Sequence, residues 1–258
     1  MAHEHSHTNE FRDARFSDVD LTGATFRACD LSQVRILGSQ IDNLWITGWD
    51  GQAGTVVVDG VDVTEFVNSE LDRRYPERVQ MRSMRTADDY RAMWETVERL
   101  WAETRVRAER LAEPALYERV DGEWSFVETM RHLVFATEVW VDRMVLDRSD
   151  PFHSLGLPPT DLSPAGAAAV GIDRDAQPTY AEVVALHVDR MSRMRGVVGS
   201  VTDTELDEIR TTEVVPEWGA ESQSVGECLR ILVREHCEHR RFAERDLAML
   251  QGGAPSAS

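Results

Sequence analysis

Ser224-Val-Gly-Glu-Cys-Leu-Arg-Ile-Leu-Val-Arg-Glu-His-Cys-Glu-His-Arg-Arg-Phe-Ala-Glu-Arg-Asp-Leu247 repeats its apolar residues at helical spacing. Val225, Cys228, Leu229, Leu232, Ala243, Leu247 and, just beyond, Leu250 share one broad face with His236 and His239. Ser224 is the N-cap, and Glu227 three residues on is the acid of a capping box. A helix this long with one apolar face must bury that face against other helices. Glu235 and His239 stand four residues apart, which puts a carboxylate and an imidazole on one side of it. At ~100° per residue, His236 sits about 20° from the apolar centre set by Val225 and Ala243. His239 lies about 40° to the other side and Glu235 a further ~40° beyond it. The helical wheel alone therefore leaves His236 as a rival to Glu235.

Working upstream, three further segments read as helices. Thr86 caps Ala87–Leu111, with Tyr90, Met93, Val97, Leu100 and Trp101 at helical spacing. Ser125, with Glu128 as its box acid, starts a second helix that runs to Leu146. That helix is apolar nearly all round, so His132 within it is expected to be buried. Thr179, after Pro178, caps a third helix to Val198, on whose stripe His187 falls. Four such helices predict a mainly α four-helix bundle. The 147–178 link is too long for a tight turn and long enough to cross the bundle, so helices 2 and 3 are expected to run parallel. Two histidines and a carboxylate drawn from two bundle helices would form a three-ligand metal site with one position open.

The N-terminal part follows a different period. Phe11, Phe16, Leu21, Phe26, Leu31, Ile36, Ile41 and Ile46 recur every five residues. Smaller apolar residues (Ala14, Val19, Ala24, Cys29, Val34) stand two positions before the next. Five fits neither helix nor strand and signals a repeat. The pattern resembles the pentapeptide-repeat family, which implies a small right-handed square β-helix-like cap with these large residues pointing inward. Val56 to Val63 reads as two short strands about an Asp59-Gly60 turn. Thr64 is the expected N-cap of a short helix ending near Arg74. The expected organisation is an unstructured N-terminus (1–10), a repeat-like β segment (11–63), a short helix and linker (64–85), the bundle (86–250) and an unstructured tail (251–258).

Composition narrows the function. The formal charge of −18 argues against nucleic-acid binding, which needs clustered Lys and Arg. All 28 basic residues are arginine, which high-GC codon usage explains. No apolar run approaches the ~20 residues of a membrane span, and the start does not read as a signal peptide. Three scattered cysteines do not make a disulfide framework, so a reduced cytoplasmic protein is expected. No phosphate-binding glycine loop or Ser/His/Asp arrangement is visible.

Glu123-Trp-Ser-Phe-Val-Glu-Thr-Met-Arg-His132-Leu and Val233 to Leu247, joined by a long crossover, resemble the DinB superfamily over residues 87–250. A Trp-Ser helix start before the first histidine ligand, and an H/E-x-x-x-H pair near the chain end, carry the likeness. The resemblance implies a four-helix bundle, often dimeric, that holds a divalent ion with His132, Glu235 and His239. It thereby chooses Glu235 over His236. The commonest pattern in the superfamily is three histidines. The His/Glu/His set here is similar to that of the mycothiol-dependent maleylpyruvate isomerase type.

The function so implied is a metal-dependent S-transferase or isomerase acting on small molecules, with mycothiol or a similar thiol as cosubstrate held as a thiolate. Zinc leads among the candidate metals, with nickel, manganese and iron open. His236, His187 and His153 are left as neighbours of the ligands, substrate contacts or packing residues. A hydrolase using bound water, and an inert metal-stabilised binding or stress-response module, are the competing readings.

Overall fold

A computed structural model describes residues 5–6, 8–27, 29–41, 44–46 and 54–252. These fall into two units divided between residues 49 and 50. Most of the expected unstructured termini lies outside the described residues, but Gln251 and Gly252 belong to the last helix rather than to a tail.

In the first unit, left-handed backbone recurs at Asp13, Asp18, Gly23, Gln33 and Gly38, always two residues after a large apolar one. Each such residue turns the chain, which is how a five-residue period becomes a series of corners. Hydrogen-bonded turns close from Ala14 N–H to Phe11 O, Ala24 N–H to Leu21 O and Val34 N–H to Leu31 O. No strand forms among the described residues of this unit. The expected inward packing is not reached: Phe11, Phe16, Leu21, Phe26, Leu31 and Ile36 all remain exposed. So short a series of corners supplies too few neighbours to enclose them.

The second unit begins with a hairpin, so the expected division after residue 63 moves upstream of it. β1 (Val57–Val58) and β2 (Val61–Asp62) pair antiparallel around Asp59 and Gly60, both with positive φ as a two-residue hairpin turn requires. α1 (Thr64–Arg74) follows, with Val63 rather than Thr64 at its N-cap position. The Thr64 hydroxyl instead accepts the Val56 N–H at 2.8 Å, fastening the hairpin to the helix. The expected linker before the bundle contains a further helix, α2 (Glu77–Ser83).

The bundle consists of α3 (Ala87–Ala108), α4 (Phe126–Thr137), α6 (Tyr180–Ser200) and α8 (Val225–Gly252). A short α5 (Pro164–Ala169) lies in the crossover, and a four-residue α7 (Asp203–Leu206) follows α6. Thr86, Ser125 and Thr179 each cap a helix through a reciprocal capping box. α4 continues as a π-helical stretch over Glu138–Val145, where Leu146 N–H reaches back to Val141 O.

Cross-helix pairs give the directions. Tyr90 meets Gly226 and Thr104 meets Glu244, so α3 and α8 are parallel. Phe126 packs on Tyr180, and Arg190 donates to Glu138, so α4 and α6 are parallel, as the crossover requires. Trp124 faces His239 while His132 faces Glu235, so α4 and α8 are antiparallel. The core between these helices is built on Trp94, Trp101, Met93, Met130, Leu133, Leu229 and Leu232.

A second cluster (Phe135, Leu162, Ile172, Val214, Val215, Cys228) lies under a hairpin of β3 (Ile209–Val215) and β4 (Gly219–Ser224). Its strands pair antiparallel from Ile209–Ser224 to Val215–Gly219. Mostly polar residues give this hairpin no apolar period-two signal in sequence. Among the described residues no helix is long and apolar enough to cross a membrane.

Candidate metal centre

His132, Glu235 and His239 converge although α4 and α8 lie a hundred residues apart in the chain. Glu235 Oε2 is 3.3 Å from His132 Nε2 and 3.2 Å from His239 Nε2. All three donor atoms lie within 4.8 Å of one another. Donors held tetrahedrally at zinc-ligand distances of ~2.0–2.2 Å stand about 3.3 Å apart, the spacing of both histidine–carboxylate pairs.

The tautomer of His132 follows from its second nitrogen. Nδ1 lies 3.0 Å from the Leu157 carbonyl oxygen, which can only accept, so Nδ1 carries the proton. In the neutral ring, Nε2 is then a bare lone pair facing a carboxylate oxygen. Such a contact is favourable only with a proton or a cation between the atoms. The donor set therefore fits a divalent ion, with Leu157 orienting one imidazole from behind.

Trp124, just before the α4 cap, covers both rings. Its centroid is 4.6 Å from that of His132 and 5.7 Å from that of His239, on which it stacks at an interplanar angle of 23°. His132 is buried, whereas Glu235 and His239 are half-buried, so the site opens on the α8 side.

Burial acts to raise the Glu235 pKa, but the two imidazoles that face it outweigh burial and hold the carboxyl well below the usual range. Burial lowers the His239 pKa despite the opposing pull of Glu235, which keeps that ring neutral and able to ligate. Glu123 adds negative potential at His239.

The other histidines go elsewhere. His236 and His187 are fully buried in the core, ring centroids 5.5 Å apart, walled by Trp94 and Trp101. Among the described residues neither ring has a hydrogen-bond partner, and neither joins the three donors. The packing face is thus the place of His236. His153 lies in the crossover, where its Nδ1 accepts the Leu155 N–H at 3.1 Å. Burial pushes the Cys237 thiol up and the Cys228 thiol to about 11, which leaves both inert. Of the N-terminal histidines only His5 is described; it pairs with Glu10.

Sequence reasoning does not reach the roles of Trp124 and Leu157. Trp124 stands in a motif that assigns it no function, and a backbone carbonyl such as that of Leu157 leaves no mark in sequence.

The family model described as DinB superfamily matches residues 96–243, and that of the pentapeptide repeats matches residues 10–43 in eight copies. No curated protein and no solved structure matches the chain.

Proposed function

The chain belongs to the DinB superfamily, and from that premise we propose that it is a divalent-metal-dependent enzyme that uses a low-molecular-weight thiol to transfer to, or isomerise, a small electrophilic substrate. The reading rests on one observation above the rest: a carboxylate oxygen faces two imidazole nitrogens at 3.2–3.3 Å, and the other nitrogen of one of those rings donates to Leu157 O. His132, Glu235 and His239 would hold the ion. When bound there, a zinc-type ion supplies a Lewis acid that lowers the pKa of a thiol or water and so provides a nucleophile at neutral pH.

The remaining residues of the site bind and orient. Leu157 fixes the His132 ring, and Trp124 shields both imidazoles from water on one side. Glu235 and His239 are half-buried, so an external ligand would reach the ion from their side. The thiol is assigned to a cosubstrate because Cys228 and Cys237 are buried, with raised pKa values. Mycothiol suits the His/Glu/His ligand set, and zinc leads over nickel, manganese and iron.

The metal-loaded full chain, incubated with mycothiol and a panel of electrophilic acceptors, should show thiol-dependent turnover that His132→Ala abolishes. Turnover of ester or amide substrates without thiol would favour the hydrolase. If Glu235→Ala and His239→Ala lose only thermal stability, and wild type turns over nothing, an inert metal-stabilised module replaces the enzyme.

A further inference from the structure

Arg131 immediately precedes His132 on α4 and is only 4% exposed. Among the described residues no carboxylate pairs with its guanidinium at ion-pair distance. Instead Nε donates to Leu155 O at 2.9 Å, Nη1 to Ala176 O at 2.9 Å and Nη2 to Asp173 O at 2.9 Å. One buried cation thus ties both ends of the crossover together through backbone carbonyls, independent of the side chains there. The Arg131 carbonyl in turn accepts the Leu157 N–H at 3.1 Å, and Leu157 O accepts the His132 Nδ1–H at 3.0 Å.

About two helical turns on, Glu138 closes the other side of the same loop by accepting the His153 N–H at 3.2 Å. Gly156 fits between: a Cβ there would stand 3.2 Å from His153 O, 3.5 Å from Glu138 Oε2 and 3.6 Å from Phe135 Cβ.

We propose that Arg131 is a positioning residue for the metal centre: by clamping the crossover it sets the Leu157 carbonyl against His132, and so fixes the tautomer and donor direction of that ligand. The inference rests on the metal reading above. A loop carbonyl left to itself would sample several positions, and the imidazole would then divide between two tautomers, only one of which offers Nε2 to the ion. The guanidinium fork suits the task because its planar donors hold three carbonyls in fixed directions, which an ammonium group cannot do. Loss of such a supporting contact typically weakens metal binding by ~10–100-fold.

The test uses the full chain, with cobalt(II) as a visible probe and chelator competition for zinc affinity. Arg131→Lys should weaken zinc binding by roughly 10- to 100-fold and shift the cobalt band. Gly156→Ala, which crowds the same loop from its other side, should act alike, and serves if Arg131→Lys does not fold. Glu217→Ala is the control: Glu217 fastens the crossover at Ser163, away from Leu157. It should leave affinity and spectrum unchanged.

Unaltered affinity and spectrum in Arg131→Lys, or an equal loss in Glu217→Ala, overturns the proposal. If wild type takes up no metal, the metal reading falls by itself. Nitrogen-15 shifts of His132 still decide the lock: an Nδ1-protonated ring in wild type that becomes mixed in Arg131→Lys supports it, and an Nε2-protonated wild type overturns it.

Discussion

His132 Nε2 and Glu235 Oε2, drawn from residues 103 apart in the chain, lie 3.3 Å from each other with the His132 proton on the far nitrogen. Two electron-rich atoms at that distance repel unless something positive joins them, and the predictions below begin there.

Metal removal should lower stability. An ion held only by the native fold stabilises it by about 2.7 kcal/mol at a concentration of ~100 Kd. For a unit of this size that is roughly 5–10 °C in Tm. Calorimetric melts before and after chelation should show this gap, and His132→Ala, Glu235→Ala and His239→Ala should each erase it. Protein lacking residues 1–10, and with them His3, His5 and His7, should still carry one ion per chain by elemental analysis. A ratio far below one contradicts the site.

Trp124 should report on occupancy. Its ring lies within 6 Å of both histidine rings, so a paramagnetic ion such as cobalt(II) should quench its fluorescence. Trp124→Phe should remove most of that quenching while keeping the aromatic cover over the rings. Quenching unchanged in Trp124→Phe would place the ion elsewhere.

His187 should make the protein acid-sensitive. Burial lowers its pKa from 6.5 to about 3, so the folded ring stays neutral where the unfolded ring takes up a proton. Above pH 6.5 neither state is protonated and stability is unaffected. As pH falls from there toward 3, the unfolded state gains about 1.4 kcal/mol per pH unit. His187→Leu removes the group, so between about pH 6.5 and 4.5 its denaturant-derived stability should fall by roughly 2–3 kcal/mol less than that of wild type. Parallel curves would rule the linkage out.

Arg190→Met should cost about 3–5 kcal/mol, because it strands a buried carboxylate. Glu138 is fully buried, and burial pushes its carboxyl up to about 7 against the pull of Arg190, which holds Oε1 through two bonds of 2.9 and 2.6 Å. Glu138→Gln added to Arg190→Met should recover part of the loss in urea unfolding. A double variant no more stable than Arg190→Met would mean that the charge is not the cause.

Much of the fold was legible before any tertiary information. Thr86, Ser125, Thr179 and Ser224 start the four bundle helices, because a side-chain oxygen at a helix start satisfies local N–H groups whatever packs around it. The crossover length required α4 and α6 to be parallel. The β3–β4 hairpin was illegible because residues such as Arg210, Thr211, Glu213 and Ser222 stay in solvent and write no apolar alternation. α2 and α7 were too short for a periodic signal. In the site, the wheel could not choose between Glu235, at the flank of the apolar stripe of α8, and His236, within it.

By itself the sequence determined the local events: helix starts, a five-residue repeat, and a carboxylate and an imidazole one helical turn apart. These depend on neighbours within a few residues, which the chain states directly. Tertiary structure alone decided which imidazole faced the core and which faced α4. The angle at which α8 meets α3 and α4 sends His236 between Trp94 and Trp101, and turns Glu235 and His239 toward His132. It also decided that a backbone carbonyl, Leu157 O, would hold His132 from behind. All carbonyls look alike in sequence, and only the path of the crossover, fastened by Arg131, brings that one to the ring.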